Sequence, residues 1–263
     1  MTELHLAAAF GTPDICSRIL DEGVPVDIFE TSRGTPLCTA STEGRVDNVK
    51  LLLQRGADIN LQNARGSTPL LCAAYTGSIE VMDFLLNQGA LVELKANTTT
   101  VLHVAAEDHG PSMVQLILKH IKQHHPEDMV GLLNQHDKQD RSPLHLSAQK
   151  GDLETVRALV DAGADIDIED ALARTPVYFA EQHGESEIKD FLISRGARIG
   201  VPRIETVEVE LEDGRTVLVE VSDKNRKPGE QPSKLCPEEA EKMIYDVADT
   251  VFTSPIRRIR CKN

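Results

Sequence analysis

A short phrase, Thr-Pro-Leu or a close variant, returns along this chain at a nearly fixed interval. It reads Thr35-Pro36-Leu37, Thr68-Pro69-Leu70, Ser142-Pro143-Leu144-His145 and Thr175-Pro176-Val177. Pro36 and Pro69 are 33 residues apart, as are Pro143 and Pro176. Two imperfect copies extend the series, Thr2-Glu3-Leu4-His5-Leu6-Ala7-Ala8 and Thr100-Val101-Leu102-His103-Val104-Ala105-Ala106. A period of this length signals a repeat architecture, to be settled before any segment is read alone.

Each copy has the same internal grammar. Thr or Ser before Pro starts a helix, because the hydroxyl caps a free N–H and Pro is tolerated in the first turn. An Ala-rich stretch follows, closed by Gly44, Gly77, Gly151 or Gly184 where a left-handed helix end needs no Cβ. A second amphipathic helix follows, as in Val46-Asp47-Asn48-Val49-Lys50-Leu51-Leu52-Leu53. It ends at Gly23, Gly56, Gly89, Gly163 or Gly196, and a polar turn leads onward. Such short helices cannot bury their own apolar faces, so they stack. With three Tyr, six Phe and no Trp in 263 residues, packing falls to small and aliphatic side chains. The expected fold is an all-α solenoid of six repeats.

The fourth repeat departs from the pattern. Val101 replaces the proline, and Glu107-Asp108-His109-Gly110-Pro111 places the glycine one residue late. Val101 and Pro143 lie 42 residues apart, an excess of about nine falling within 119–133. A longer second helix, a break near Pro126 and a short added turn is expected there. Insertions of this kind map to one face, either as a tolerated surface loop or as a lip of Met129, Val130, Leu132 and Leu133. His120 and His124 have helical spacing, with His125 adjacent, but no accompanying ligand recommends a metal site.

From residue 201 the period is lost. Val207-Glu208-Val209-Glu210-Leu211 and Thr216-Val217-Leu218-Val219-Glu220-Val221 flank Asp213-Gly214 as a hairpin. A loop of Glu212-Asp213-Gly214 pairs Val209 with Val217 and Val207 with Val219, putting the valines on one face. Residues 223–233 read as a flexible linker, and Pro237 opens an amphipathic helix through Phe252. The chain thus divides into a repeat domain, 1–199, and a small α+β unit, 200–263, of one β-hairpin and one helix. The basic Arg257-Arg258-Ile259-Arg260-Cys261-Lys262 reads as a frayed end, or as an acidic-partner or nuclear-import patch.

The charge is −14 overall, and residues 1–200 hold 29 acidic against 17 basic residues, a net of −12. Such a body repels phosphate backbones, so a polar or basic protein partner is expected rather than nucleic acid. Five cysteines without a C-x-x-C pair point to a reducing compartment. No apolar stretch approaches a bilayer span, so a cytoplasmic placement without membrane contact is expected. No G-x-S-x-G, H-E-x-x-H, P-loop or G-x-G-x-x-G occurs, and neither catalysis, a cofactor nor a metal is expected.

The T-P-L-H-x-A-A phrase, the G-x-[V/I]-x-x-V helix and the G-A-D-[I/V]-N turn resemble the ankyrin repeat over residues 1–199. The resemblance implies helix–turn–helix units with hairpin-like fingers, and a non-catalytic scaffold or adaptor gripping a partner on its concave surface. It also implies that His5, His103 and His145 bridge neighbouring repeats. The contact positions it implies are Phe29, Thr31 and Ser32, then Gln62, Arg65, Ser67, Tyr75 and Thr76. Glu107 and Asp108 follow, then His136, Lys138, Gln139, Arg141, Gln149 and Lys150, and finally Glu169, Leu172, Arg174, Glu181 and Gln182. Phe29, Tyr75, Arg65 and Arg141 are the expected anchors, since hot spots favour aromatics and arginine. About 203–252 are also similar to a small bacterial domain that co-occurs with trypsin-like proteases, without the strands expected after its helix. The alternative function is a targeting or regulatory subunit of a separate enzyme, docked through 200–263; under either function a monomer is expected.

Overall fold

The computed structural model describes residues 1–198 in full and, beyond them, the backbone of three strands at 204–211, 216–222 and 256–261. Among the described residues, thirteen α-helices form six successive pairs and one added turn. The pairs are α1 (Glu3–Phe10) with α2 (Pro13–Asp21), α3 (Pro36–Thr42) with α4 (Val46–Gln54), and α5 (Pro69–Tyr75) with α6 (Ile79–Asn87). They continue with α7 (Val101–Val104) and α8 (Pro111–His124), then α10 (Pro143–Lys150) and α11 (Leu153–Asp161), and last α12 (Pro176–Gln182) and α13 (Ser186–Ser194). The short α9 (Met129–Leu133) is the added turn.

The first helix of each pair lies inside the stack. Leu4, Leu37, Leu70, Leu102, Leu144 and Val177, one per repeat at the same position, are all buried. Three residues further along, the position is always small: Ala7, Ala40, Ala73, Ala105, Ser147 and Ala180. Side chains this short let adjacent inner helices approach closely, and a larger one would overpack the joint. Residues such as Val49 and Leu52 of α4, or Met82 and Leu85 of α6, seal the outer layer.

Polar groups tie one repeat to the next. His103 Nε2 donates to the Arg141 carbonyl at 2.9 Å, His145 Nε2 to the Arg174 carbonyl at 2.9 Å, and His5 Nε2 to the Gly34 carbonyl at 2.9 Å. With its proton on Nε2, the ring uses Nδ1 as an acceptor. Ser142 donates to His145 Nδ1 through its hydroxyl and its backbone N–H, both at 3.0 Å. The same ring therefore caps its own helix and staples the following finger. Cys38 occupies that position in the second repeat and Leu71 in the third. There the Cys38 thiol reaches the Ser67 carbonyl at only 4.0 Å. The first joint adds another tie, because the Asn48 amide collects the carbonyls of Ala7, Ala8 and Gly11 at 3.0–3.2 Å.

The irregular fourth repeat absorbs its extra residue by widening a helix. Ala105–His109 form one π-helical turn, closed by the Gly110 N–H bonding to the carbonyl of Ala105, five residues back, at 2.9 Å. Thr100 replaces the missing proline as a helix start by capping His103. α8 runs for 14 residues where its counterparts run for 9, and the chain turns at Pro126 into α9. The lip reading of this insertion is corrected. Leu132 and Leu133 are buried, Met129 packs on the core, and only Val130, 57% exposed, faces outward.

Beyond the repeats, β1 (Ile204–Leu211) lies between β2 (Thr216–Ser222) and β3 (Ile256–Cys261), antiparallel to both. β1 and β2 pair Val207 with Val219 and Val209 with Val217. The stretch read as a frayed basic end is instead strand β3, so a strand does follow the segment read as a helix. The linker at 223–233 and the helix expected from Pro237 lie outside the described residues.

Burial, against the help of the Arg174 carbonyl, holds His145 down at about 4 from an ordinary 6.5, and burial lowers His103 too. The folded chain thus binds fewer protons than the unfolded chain between those values. The stability this contributes is intact above pH 6.5 and lost as pH falls towards 4. From pH 7 to pH 5, His145 alone should remove about 2 kcal/mol. Urea unfolding of His145→Leu, which installs the side chain found at Leu71, should show a pH dependence smaller by that amount; an unchanged dependence would refute the assignment.

Candidate partner-binding face

The fingers are built by one recurring device. Asp137 Oδ1 accepts the N–H groups of Gln139 and Arg141 at 2.8 and 2.9 Å, and Asp170 Oδ1 accepts those of Leu172 and Arg174 at 2.9 and 2.8 Å. In the second finger the Asn63 side-chain oxygen takes the N–H groups of Arg65 and Ser67 at 2.9 and 3.0 Å. These are short polar side chains satisfying their own turn. Burial pushes the Asp137 carboxyl up, but the bonds from Arg141 and Gln139 outweigh it and hold it below the ordinary range.

Arg141 and Arg174 are committed to this device. Arg141 spends Nε and Nη2 on Asp137 at 2.9 and 2.8 Å and Nη1 on Gln149 at 3.4 Å. Arg174 pairs with Asp170 at 2.7 Å and lies over the Phe179 ring at 4.7 Å. Both guanidinium groups are half-buried and brace their fingers.

The fingers and inner helices of the second to fourth repeats, with Lys138 from the fifth repeat's finger, enclose an open hollow of about 590 Å³. Six of the expected contact residues line it: Ser32, Arg65, Ser67, Tyr75, Thr76 and Lys138. Sequence reasoning missed Arg33, Thr39 and Glu43 on one side and Asn63, Cys72 and Asn97 on the other. Thr39 and Cys72 share one repeat position, so the period could have paired them, but only the stacked structure shows that they border one space. Arg33 is paired with Glu43 at 3.3 Å. Among the described residues, the side chains of Arg65 and Lys138 have neither a hydrogen bond nor an ion pair.

Tyr75 is 45% exposed and stands at the wall of the hollow. Partial burial first, then the nearby Cys72, Asp108 and Glu107, push its phenol up, so it stays a neutral hydroxyl donor at neutral pH. The π-helical turn brings His109 against this wall, where its Nε2 meets the Tyr75 carbonyl at 3.3 Å. Gly77 makes the approach possible, since a Cβ there would sit 2.9 Å from His109 Nδ1. The neighbouring Cys72 holds Cys38 down at about 7, while Cys38 and burial push Cys72 up.

The other expected residues lie apart from the hollow. Phe29, 49% exposed, and Thr31 stand on the first finger, and Gln62 bonds to the Lys95 carbonyl at 3.0 Å. Glu107 and Asp108 are exposed on the π-helical turn, and His136 and Gln139 on the fifth repeat's finger, His136 reaching the Asp140 carbonyl at 2.9 Å. Lys150, Glu169, Glu181 and Gln182 are exposed, Glu181 holding Lys189 at 2.6 Å, while Gln149 and Leu172 are half-buried.

One finger beside the hollow is strained. Ala96 and Thr99 exchange both backbone hydrogen bonds at 2.9 Å, leaving Asn97 and Thr98 at φ 47° and 76°. Asn suits that region, but a β-branched residue does not. Thr98→Gly should stabilise the chain by about 1 kcal/mol in urea unfolding, since the side chain is exposed and only strain is relieved. A loss of stability would show that Thr98 is held by contacts rather than tolerated.

Comparison with known proteins agrees with this architecture. Residues 37–86 match the family described as ankyrin repeats (many copies), and residues 121–203 match ankyrin repeats (3 copies). Among solved structures, the chain is similar to one chain of the complex between the predatory endopeptidase Bd0816 of Bdellovibrio bacteriovorus and immunity protein Bd3460. The TM-score is 0.65 at 20% identity, covering 74% of this chain and 98% of that one. No curated relative matches the sequence.

Proposed function

The chain belongs to the ankyrin-repeat family, and from that premise we propose that it is a non-catalytic adaptor whose concave face holds a partner protein. The observation that carries this reading is the open hollow of the second to fourth repeats, with Tyr75 and Arg65 exposed at its wall. Ankyrin repeats in general mediate protein–protein contacts. The similar solved structure is itself a complex of two proteins, and a protein is the ligand class proposed here. Among the described residues, no helix is long and apolar enough to cross a membrane.

Physical reasons favour a macromolecular ligand over a small one. The hollow is open, most of the side chains lining it are polar, and its walls come from separate repeats held in fixed register. A small ligand is better served by a closed, mostly apolar cavity. A peptide segment or loop can instead follow the row of fingers and place one side chain against Tyr75. The rigid stack supplies that surface without an ordering cost on the repeat side.

The double substitution Tyr75→Ala, Arg65→Ala tests this placement. Immobilised full-length chain should lose at least about tenfold of its specific capture from the source cell, because exposed aromatics and arginines carry interface energy. The thermal midpoint should stay within about 2 °C, as neither side chain is in the core. Undiminished capture, with cross-links mapping to the outer helices, would overturn the reading.

A further inference from the structure

The sign of the charge inside the hollow runs against the sign of the molecule. The chain carries −14 overall, which by itself favours basic partners. Yet the finger side of the hollow presents Arg33, Arg65 and Lys138, and Glu43 is the single carboxylate among the residues lining it. Glu43 is already taken by Arg33 at 3.3 Å, whereas Arg65 and Lys138 have no such partner among the described residues. The acids nearest to Tyr75 on the fourth repeat, Glu107 and Asp108, belong to the π-helical turn and not to the fingers. The finger acid beside the lining, Glu30, is occupied by the Ser32 hydroxyl and the Arg33 N–H.

We propose that the hollow takes an acidic peptide segment of a partner protein, its carboxylates lying against Arg65 and Lys138 and one apolar side chain against Tyr75. This rests on the concave-face reading above and names the chemistry of its ligand. At physiological ionic strength charges interact over about 8 Å, so cations inside the hollow outweigh acids spread over the remaining surface. The phenol of Tyr75 can donate to a carboxylate, whereas the hydroxyls of Ser32, Thr42 and Thr76 already donate to Glu30 and to the carbonyls of Cys38 and Cys72. Arg65 presents a planar fork suited to bidentate contact, and Lys138 a point charge from a different finger. Both cations line the same space from different fingers, so an occupant carrying several acids can engage both. A basic segment would bring like charge onto both and find Glu43 occupied.

The test uses the full chain and three fluorescein-labelled decapeptides of one design, a central Phe flanked by four Glu, four Gln or four Lys. Anisotropy at 50 mM salt should show binding of the Glu peptide, at least about tenfold tighter than either of the others. Raising the salt to 300 mM should weaken it. Arg65→Glu with Lys138→Glu should reduce the affinity at least about tenfold, because hydrogen bonds to charged groups carry this much. Arg55→Glu, on the outer helix layer, should leave it unchanged, and circular dichroism should be the same for all variants. Preference for the Lys peptide, weakened by Tyr75→Ala, would overturn the acidic ligand while leaving the concave face as the docking site. Absence of Glu-peptide binding, or binding indifferent to the double charge reversal, would overturn it as well. Failure of the concave-face reading itself shows separately, as unaltered partner capture by the Tyr75→Ala, Arg65→Ala chain.

Discussion

The joint between neighbouring repeats is the contact on which this molecule depends. A pair of helices of 7 to 9 residues is too short to persist in water, and its apolar stripe has nothing of its own to cover it. Two features make the joint work together. Small residues at Ala40, Ala73 and Ala105 bring the inner helices into contact, and the buried imidazoles of His5, His103 and His145 pair with carbonyls of the next finger. Packing fixes the distance, and the hydrogen bonds fix the register. Both must hold for the fingers to stand in a row.

That register is what sets the fingers of a stack in a row along one face. The hollow of the second to fourth repeats is shaped by the joints that lack the histidine, where Cys38 and Leu71 take its place. The same region holds the strained finger at Asn97 and Thr98 and the π-helical turn that carries His109 to the Tyr75 wall. Several departures from the repeat rule thus lie around this hollow. Strain and irregular winding at such places are common where a site has been shaped for use.

Much of this was legible in the sequence, for identifiable reasons. The 33-residue period and the Thr-Pro starts reflect local backbone chemistry, which does not depend on distant contacts, so the helical pairs and the family could be read directly. The role of the imidazoles was implied by the resemblance to the ankyrin repeat, and the structure bears it out. The insertion was legible as a longer helix and a break at Pro126, but not its direction. Whether Leu132 and Leu133 point outward or into the core depends on the angle of α9, and that is decided by packing. Arg141 shows the same limit at the site. As a residue type it suits an interface, yet its partner Asp137 lies four residues away in a turn whose closure the sequence does not display. The hollow drew Arg33, Asn63 and Asn97 from three fingers, and no spacing along the chain shows how far neighbouring fingers lean together.

The charge pattern teaches a related point. Net charge describes how a molecule is met at a distance, while a docking site is set by the few groups within one screening length. Here the two have opposite signs, and only the folded arrangement shows it.

Everything rests on the claim that no helical pair stands without its neighbours. The most direct measurement is far-UV circular dichroism of the single repeat 143–175 as an isolated peptide, beside the chain 1–198. The account predicts an unfolded peptide and a cooperatively melting chain. A peptide with native helical content and its own sharp thermal transition would contradict it.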